Sequence, residues 1–581
     1  MSFPKNNSTE KKAQIAYFSM EIGISHELPT YAGGLGVLAG DLLKSYADLN
    51  IPFVGVTLLN EKGYFRQSID DSGKQIESDL SWPIRKYMKL MPHKVTVSIA
   101  GRPVIVRAWK HLINGQAGNR SPIFFLDTNC SENSDADKKL TSHLYGGDRQ
   151  YRLAQEIVLG VGGLRMLKAL GYYDIQKYHL NEGHAALLAI ELLHGLSSDK
   201  EQEEKTIATV KDRCVFTTHT PVAAGHDQFT QTLWRKLLGD FVPPSIYKKI
   251  ITPEKKVSMT LLALTMSTYI NGVAKQHARV TREMFPSYHI NSITNGVHPP
   301  SWTSPAWSDL FDKNLSGWRL DPHILRNALI INNQAVWRAH QLSKQALLKE
   351  IEKSCGQKYD QNTFTLGFAR RFTAYKRPDL LFFDLERLKN IAARHGGLQL
   401  VFAGKAHAQD RQGKKLINNI NKLALQLRQE QGLLRLVFLP QYDMRLAKLM
   451  VSGSDAWLNT PQLPYEASGT SGMKAALNGV PHFSTIDGWW LEGLLEGLTG
   501  WGIGAHPQDK NISFAGDIDP EPDANSLYKK LDAVILPLFY KNNSAWINIM
   551  KHCIAINGSF FNTYRMAQQY LTNAYLAQSD E

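Results

Sequence analysis

The chain has 581 residues, 43% hydrophobic and 20% charged, which excludes a disordered, collagenous or disulfide-scaffold protein and supplies core enough for more than one domain. Its 66 lysines and arginines against 53 aspartates and glutamates leave a net charge of +13, which suits an anionic ligand or plain solubility and in so long a chain is weak ground for nucleic acid. Four cysteines, Cys130, Cys214, Cys355 and Cys553, lie far apart without CxxC spacing and read as reduced thiols, not as a zinc site or disulfide framework.

The opening MSFPKNNSTEKKAQ lacks the apolar stretch of a signal peptide, and no apolar run reaches ~18 residues, so a cytoplasmic protein without a membrane span is expected. Short β-rich runs then alternate with helical patterns, which predicts an α/β architecture. Strands are predicted at 15–20, 53–59, 95–100, 104–109, 123–127 and 214–219, with helices over 151–170 and 184–195. A helical stretch at 323–355 precedes a second block, with strands at 363–369, 398–404, 434–440 and 455–459 and a helix over 413–428. The pattern predicts two doubly wound, Rossmann-like domains facing a central cleft, over 1–300 and 301–544, with a helical segment 545–581 packing back on the first. Ligands of open α/β sheets sit beyond the carboxyl ends of strands, so the loops there are the places to look for chemistry.

Tyr31-Ala-Gly33-Gly34-Leu-Gly36-Val-Leu-Ala39-Gly40 leads into a helical pattern. It contains GxGxxA, with Glu61 ending a strand at a suitable distance, but the preceding strand ends too early for a dinucleotide turn. A structural glycine turn and a phosphate site remain equal readings. His179-Leu-Asn181-Glu182-Gly-His184 matches neither HExxH nor HxxEH, so no metal site is expected. His219 closes a strand and Asn295-Gly-Val-His298 sits at the domain join; singly, each could be a turn or a ligand contact.

Arg370, Arg371, Lys376 and Arg377 place four cations just after a strand, where anion binding is favoured over a solvated charge run. Glu466-Ala-Ser468-Gly469-Thr470-Ser471-Gly472-Met-Lys474 reads as a loop entering a short helix that Gly479 ends. It is not a P-loop. A lysine among Met, Ala and Leu has its pKa lowered by desolvation, which favours the amine that forms imines, although such lysines more often reach the surface.

Taken in order, YFSMEIG, YAGGLGVLAGD, HLNEGHAALL, TTHTPV, TNGVHPPSW, RRFTAYKR, VFAGKAHAQD, EASGTSGMK and IDGWW resemble the α-glucan phosphorylases (glycogen, starch and maltodextrin), in their short bacterial and archaeal form, across roughly 15–500. The resemblance implies a glycosyltransferase-B fold and pyridoxal 5′-phosphate held as an imine by Lys474. Thr470, Ser471, Arg370 and the backbone at Gly33 and Gly34 would surround the cofactor's phosphate. Arg371 and Lys376 would grip inorganic phosphate, with Tyr375 beside them, and His219, Asn295, Glu466, Ser468 and Gly469 would contact the glucosyl unit. The catalytic set so implied is Lys474, Arg371, Lys376 and His219.

The implied reaction is phosphorolysis of an α-1,4-glucan or maltodextrin to glucose 1-phosphate with retention, the cofactor's phosphate serving as acid and base. Neither nucleic acid nor membrane is an expected partner, and a homodimer follows by analogy. Two departures lie beside the site: Thr373 where long forms carry His, and Gly472 where they carry Asn. The chain is far shorter than the animal and plant enzymes, so their N-terminal regulation is not expected. Other readings are a nucleotide-sugar α-glucan synthase of the same fold, which would need no imine lysine, and a catalytically weak glucan-binding homologue. Trp489 and Trp490 are expected in the core.

Overall fold

Two sheets organise the computed structural model, which describes residues 13–196, 202–222, 225–507 and 519–576. The first runs Asn291–Ser292, Tyr269–Gly272, Cys214–Thr217, Lys177–Asn181, Ile15–Ser19, Phe53–Leu58, Arg120–Asp127, Arg102–Asn114 and Lys89–Ile99; the last two strands are antiparallel and the rest parallel. The second is wholly parallel: Leu434–Leu439, Leu398–Ala403, Thr365–Ala369, Ala456–Asn459, His482–Thr485 and Gly500–Ile503. Central strands such as Phe53–Leu58 and Leu398–Ala403 are buried at every residue, as expected where helices cover both faces. Alternation sends Leu400, Phe402, Leu436 and Phe438 into one apolar cluster and Val401, Ala403, Val437 and Leu439 into another.

Helices are set by local chemistry. Arg411–Glu430 starts where the Asp410 side chain accepts Gly413 N–H. It buries Ile417, Ile420, Ala424 and Leu427, spaced three and four apart, and ends where Gln431 turns left-handed at φ 53°. The glycine-led helix Gly34–Asp48 is buried along most of its length, and Gly40 is what lets it cross the preceding segment. A Cβ there would lie 1.8 Å from the Gly23 carbonyl oxygen, so no larger residue fits.

Several predicted elements are redrawn. The helix over 151–170 is Arg149–Ile157 and Gly163–Ala169 joined by a π turn at Val158–Gly162. The stretch 323–355 is a 3-10 turn, Pro322–Ile330, then a helix, Asn333–Cys355. Glu61 does not end a strand: Phe53–Leu58 stops before it and Glu61 lies in a turn, which removes the acidic residue of the dinucleotide pattern. Among the described residues no helix is long and apolar enough to cross a membrane.

Two features position the cleft. The order of strands reverses between Ile15–Ser19 and Lys177–Asn181 in the first sheet and between Thr365–Ala369 and Ala456–Asn459 in the second, so crevices open beyond those strands. Across the cleft, the hairpin Arg66–Ile69 and Gln75–Ser78 straps the first half to the second. Gln67 and Gln441 exchange backbone-to-side-chain bonds at 2.7 and 2.9 Å, and Gln75 exchanges 2.9 and 3.0 Å bonds with Ala406. Gln67 also donates to Gly404 O at 2.8 Å, and Lys414 pairs with Glu77. Late in the chain, Met566, Ala567, Tyr570, Ala574 and Tyr575 pack with Leu38, Leu42, Leu43 and Tyr46 of the glycine-led helix.

Candidate active site

The Thr365–Ala369 strand ends by delivering Arg370 and Arg371 into the second crevice. Arg370 donates to Glu466 Oε2 at 2.5 Å, and so does the Lys376 ammonium, also at 2.5 Å. Glu466 is buried. Burial alone would favour its neutral acid, but the Arg370 and Lys376 charges prevail and hold the carboxyl at about 2. Arg370 Nε and Nη1 are buried without a hydrogen-bond partner, as are Ser468 Oγ and Thr373 Oγ1. Buried donors left unpaired cost free energy, on the order of 1–3 kcal/mol each, unless a ligand satisfies them. Tyr375 lies against this group, its ring 4.6 Å under the Lys376 ammonium.

Arg371 behaves differently. It stays exposed, with Tyr64, Glu21, Tyr145 and Tyr375 as its electrostatic neighbours, and a Cβ on Gly33 would come 3.3 Å from its Nη2. Nothing lies within 4 Å of the Cβ position of Gly34. The two glycines thus leave open space beside a free guanidinium at the start of a 15-residue helix. Glu21 fills part of that start: its Oε2 accepts Ala32 N–H at 2.5 Å and Gly33 N–H at 3.3 Å, and its Oε1 accepts the Tyr145 hydroxyl. Tyr64 opens the strap hairpin, and burial raises its hydroxyl to about 12 against the pull of Arg371.

Thr470 stands at the start of the short helix Ser471–Leu477, and Ser471 Oγ accepts from Asn459 at 3.2 Å. Lys474 on that helix is buried, its ammonium 3.9 Å from the centre of the Trp302 ring. Burial lowers it to about 8, Asp41 drawing it up and Lys44 down. Asp41 also fixes Trp302, accepting its indole N–H at 2.6 Å. Gly472 packs where a Cβ would stand 2.8 Å from both His482 and Trp489, so these rings occupy the space that a side chain would need. Trp489 and Trp490 are core residues at 1% and 0% exposure.

His219 belongs to a group in the first crevice. It follows Cys214–Thr217, and its Nε2 pairs with Asn181 Oδ1 at 2.6 Å. Its N–H and the Thr220 hydroxyl both go to Glu182 Oε2, at 2.8 and 2.9 Å. Burial lowers the imidazole to about 4, so it is neutral at ordinary pH. Glu182 holds this turn from a left-handed backbone, φ 73° and ψ 166°, which side-chain-bearing residues rarely adopt. Asn295 is buried with Oδ1 unpaired, its carbonyl accepting from Arg565 at 2.9 Å. Gly469 takes φ 75°, and its Cβ position lies 3.4 Å from the Glu466 carboxyl.

The structure therefore gathers Arg370, Lys376, Tyr375, Glu466 and Gly469 in one contact group with Ser468 on the same loop, sets Arg371 beside Gly33, and keeps His219 in the Asn181–Glu182 group. Sequence reading did not single out Glu21, Tyr64, Tyr145, Trp302, Asp41 or Glu182 as site residues. All but Tyr64 and Tyr145 lie inside motifs it had marked, and what was missing was the strand order that turns those motifs toward one cleft.

These residues can hold two anionic groups and a polyhydroxyl ligand, and they present a desolvated amine. The family model of the carbohydrate phosphorylases matches residues 244–494. The chain is 36% identical to a maltodextrin phosphorylase of Thermococcus litoralis, over 97% of this chain and 72% of that protein. It is 35% identical to a glycogen phosphorylase of Mycobacterium tuberculosis (97% and 70%) and 33% identical to one of Aquifex aeolicus (98% and 87%).

Proposed function

The chain belongs to the carbohydrate phosphorylase family, which makes it a glycosyltransferase of carbohydrate metabolism, and on that premise we propose that it transfers terminal glucosyl units of an α-1,4-glucan to inorganic phosphate. The product is glucose 1-phosphate, formed with retention in the cytoplasm. The observation that carries this reading is the pair of buried, unpaired Arg370 donors beside a Glu466 already committed to two cations.

The donor set fits pyridoxal 5′-phosphate: Lys474 would hold its aldehyde, and Arg370, Thr470 and Ser471 its phosphate. When bound, that group supplies a phosphate able to exchange a proton with the substrate phosphate. Lys474 suits this role because an amine near pH 8 is partly neutral under physiological conditions, and the Trp302 face keeps water from it.

The chain's own residues do the rest. Arg371, exposed and set beside Gly33, receives inorganic phosphate, while Lys376 and Arg370 offset the repulsion between two phosphates. Glu466 keeps these cations aimed. Held at about 2 and bonded to both, it is unsuited to act as a general acid or a nucleophile, which disfavours glycoside hydrolysis. Ser468 Oγ, Asn295 Oδ1 and His219 offer hydrogen bonds to the glucosyl hydroxyls, and the neutral imidazole adds no charge near a cationic transition state.

The test is phosphate-dependent release of glucose 1-phosphate from maltoheptaose, together with borohydride reduction and peptide mapping. Product formation and a pyridoxyl group on Lys474 are expected. Glucosyl transfer from a nucleotide sugar without phosphate would favour a synthase, and no turnover with either donor a glucan-binding homologue.

A further inference from the structure

Ile486-Asp487-Gly488-Trp489-Trp490 follows the lysine helix and carries one acidic residue. Asp487 is 3% exposed, and both its oxygens accept backbone N–H groups. Glu466 N–H goes to Oδ2 at 2.9 Å and Gly488 N–H to Oδ1 at 2.8 Å. In return Trp489 N–H donates to Ser468 O at 2.9 Å. Gly488 has φ 57°, and a Cβ there would stand 2.4 Å from that same Ser468 oxygen, so the 487–489 turn lies flush on the 466–468 loop.

A buried aspartate closing a turn is usually a structural device. Two things set this one apart. One of its donors belongs to Glu466, the residue that aims Arg370 and Lys376. It also lacks a cation of its own: the charges facing it are the Glu466 carboxylate and the Lys376 ammonium, and Lys376 is bonded to Glu466, as is Arg370 behind it. Burial accordingly pushes the Asp487 acid up to about 7, Glu466 adding to the rise while the two amide bonds and Lys376 oppose it.

We propose that Asp487 is a positioning residue of the phosphorolytic site: as a carboxylate it clamps the Glu466–Ser468 loop in the arrangement that receives the glucosyl unit. The inference rests on the proposed reading of the site. The carboxylate offers a charged acceptor to each N–H. In the neutral acid one oxygen becomes a hydroxyl, a weaker acceptor carrying an O–H of its own, so that bond weakens and the loop loosens. A group that loosens the glucosyl contacts as it gains a proton makes sugar binding weaken in mild acid, even for a ligand that does not itself titrate.

The experiment is calorimetric binding of maltopentaose, a neutral ligand, to the cofactor-loaded protein from pH 5.5 to 8.5 without phosphate. In the unsubstituted protein affinity should fall about tenfold as pH drops through the Asp487 transition, the effect of one hydrogen bond. Asp487→Asn, which offers one acceptor, should bind about tenfold more weakly at pH 8 and show a flat profile. Gly488→Ala, which crowds Ser468 but keeps the carboxylate, should bind weakly and retain the pH dependence. Thermal midpoints and the cofactor's absorbance establish that each variant is folded and loaded. An Asp487→Asn protein that keeps the original pH dependence, or binds as tightly as its parent, overturns the inference. Absence of phosphate-dependent glucose 1-phosphate formation by the unsubstituted protein would instead overturn the proposed function, and the neutral-sugar titration would still judge the clamp.

Discussion

Asp455 immediately precedes the strand Ala456–Asn459 and Glu466 lies in the loop beyond it; both are buried carboxylates, Asp455 bonded to a lysine and a histidine, Glu466 to a lysine and an arginine. Before the strand, Asp455 accepts His340 Nε2 at 2.7 Å, Lys344 Nζ at 2.6 Å and Thr365 N–H at 2.7 Å, and Lys344 turns a second bond to Thr363 O at 2.8 Å. Only His340 Nδ1 in that group is left unpaired. Beyond the strand, Glu466 gathers both its cations on one oxygen, and Arg370 keeps two unpaired donors. A closed set of bonds ties the Asn333–Cys355 helix to the sheet, whereas an open set waits for a ligand. In a parallel sheet the carboxyl ends face the crevice and the amino ends face packed turns, so the same chemistry serves stability at one end and binding at the other.

Four substitutions probe the difference between these two ends. The largest effect is expected from Lys474→Ala, which should abolish the cofactor's absorbance and cut phosphorolysis below about a thousandth, roughly 4 kcal/mol of barrier, with the unfolding midpoint unchanged or raised relative to the cofactor-free parent. Asp455→Asn should do the reverse, costing about 3–5 kcal/mol in urea unfolding because Lys344 stays buried without its counter-charge, while each folded molecule keeps its rate. A rate loss without a stability loss there would erase the distinction between the two ends.

Arg371→Ala should raise the KM for phosphate about 10–100-fold, and because the side chain is exposed its stability should stay within about 0.5 kcal/mol. The smallest effect is on acid stability. Glu466 is held at about 2, below its ordinary 4.5, so its contribution is complete above 4.5 and is lost as pH falls toward 2. Glu466→Gln should flatten that part of an acid-unfolding curve; an unchanged curve would show that its two ion pairs add nothing to the fold.

Much of this was legible in the residues. Unbroken apolar runs marked the buried strands, and the cations at 370–377 stood out because they followed one of those runs. The hairpin over 66–78 was not legible: RQSI and QIES carry little hydrophobic signal, since their inward residues are Gln67 and Gln75, stabilised by bonds to Gln441, Gly404 and Ala406 across the cleft. Glu21 and Glu182 lay within marked motifs, but what they hold was not legible. Each lies just past a strand end, and only the adjacency of Ile15–Ser19 and Lys177–Asn181 makes those ends one crevice.

What the sequence by itself determined is the alternation of strands and helices, the family, and the inventory of anion-binding and amine-bearing motifs, because these depend on local periodicity and on residue chemistry at short spacing. What only the tertiary structure decided is which of those groups are spent on one another and which stay open. Glu466 binds both Arg370 and Lys376, Asp487 grips the Glu466 loop, and Arg371 makes no ion pair among the described residues. Pairing and desolvation depend on distances between segments far apart in the chain, and those distances exist only once the sheets have closed around them.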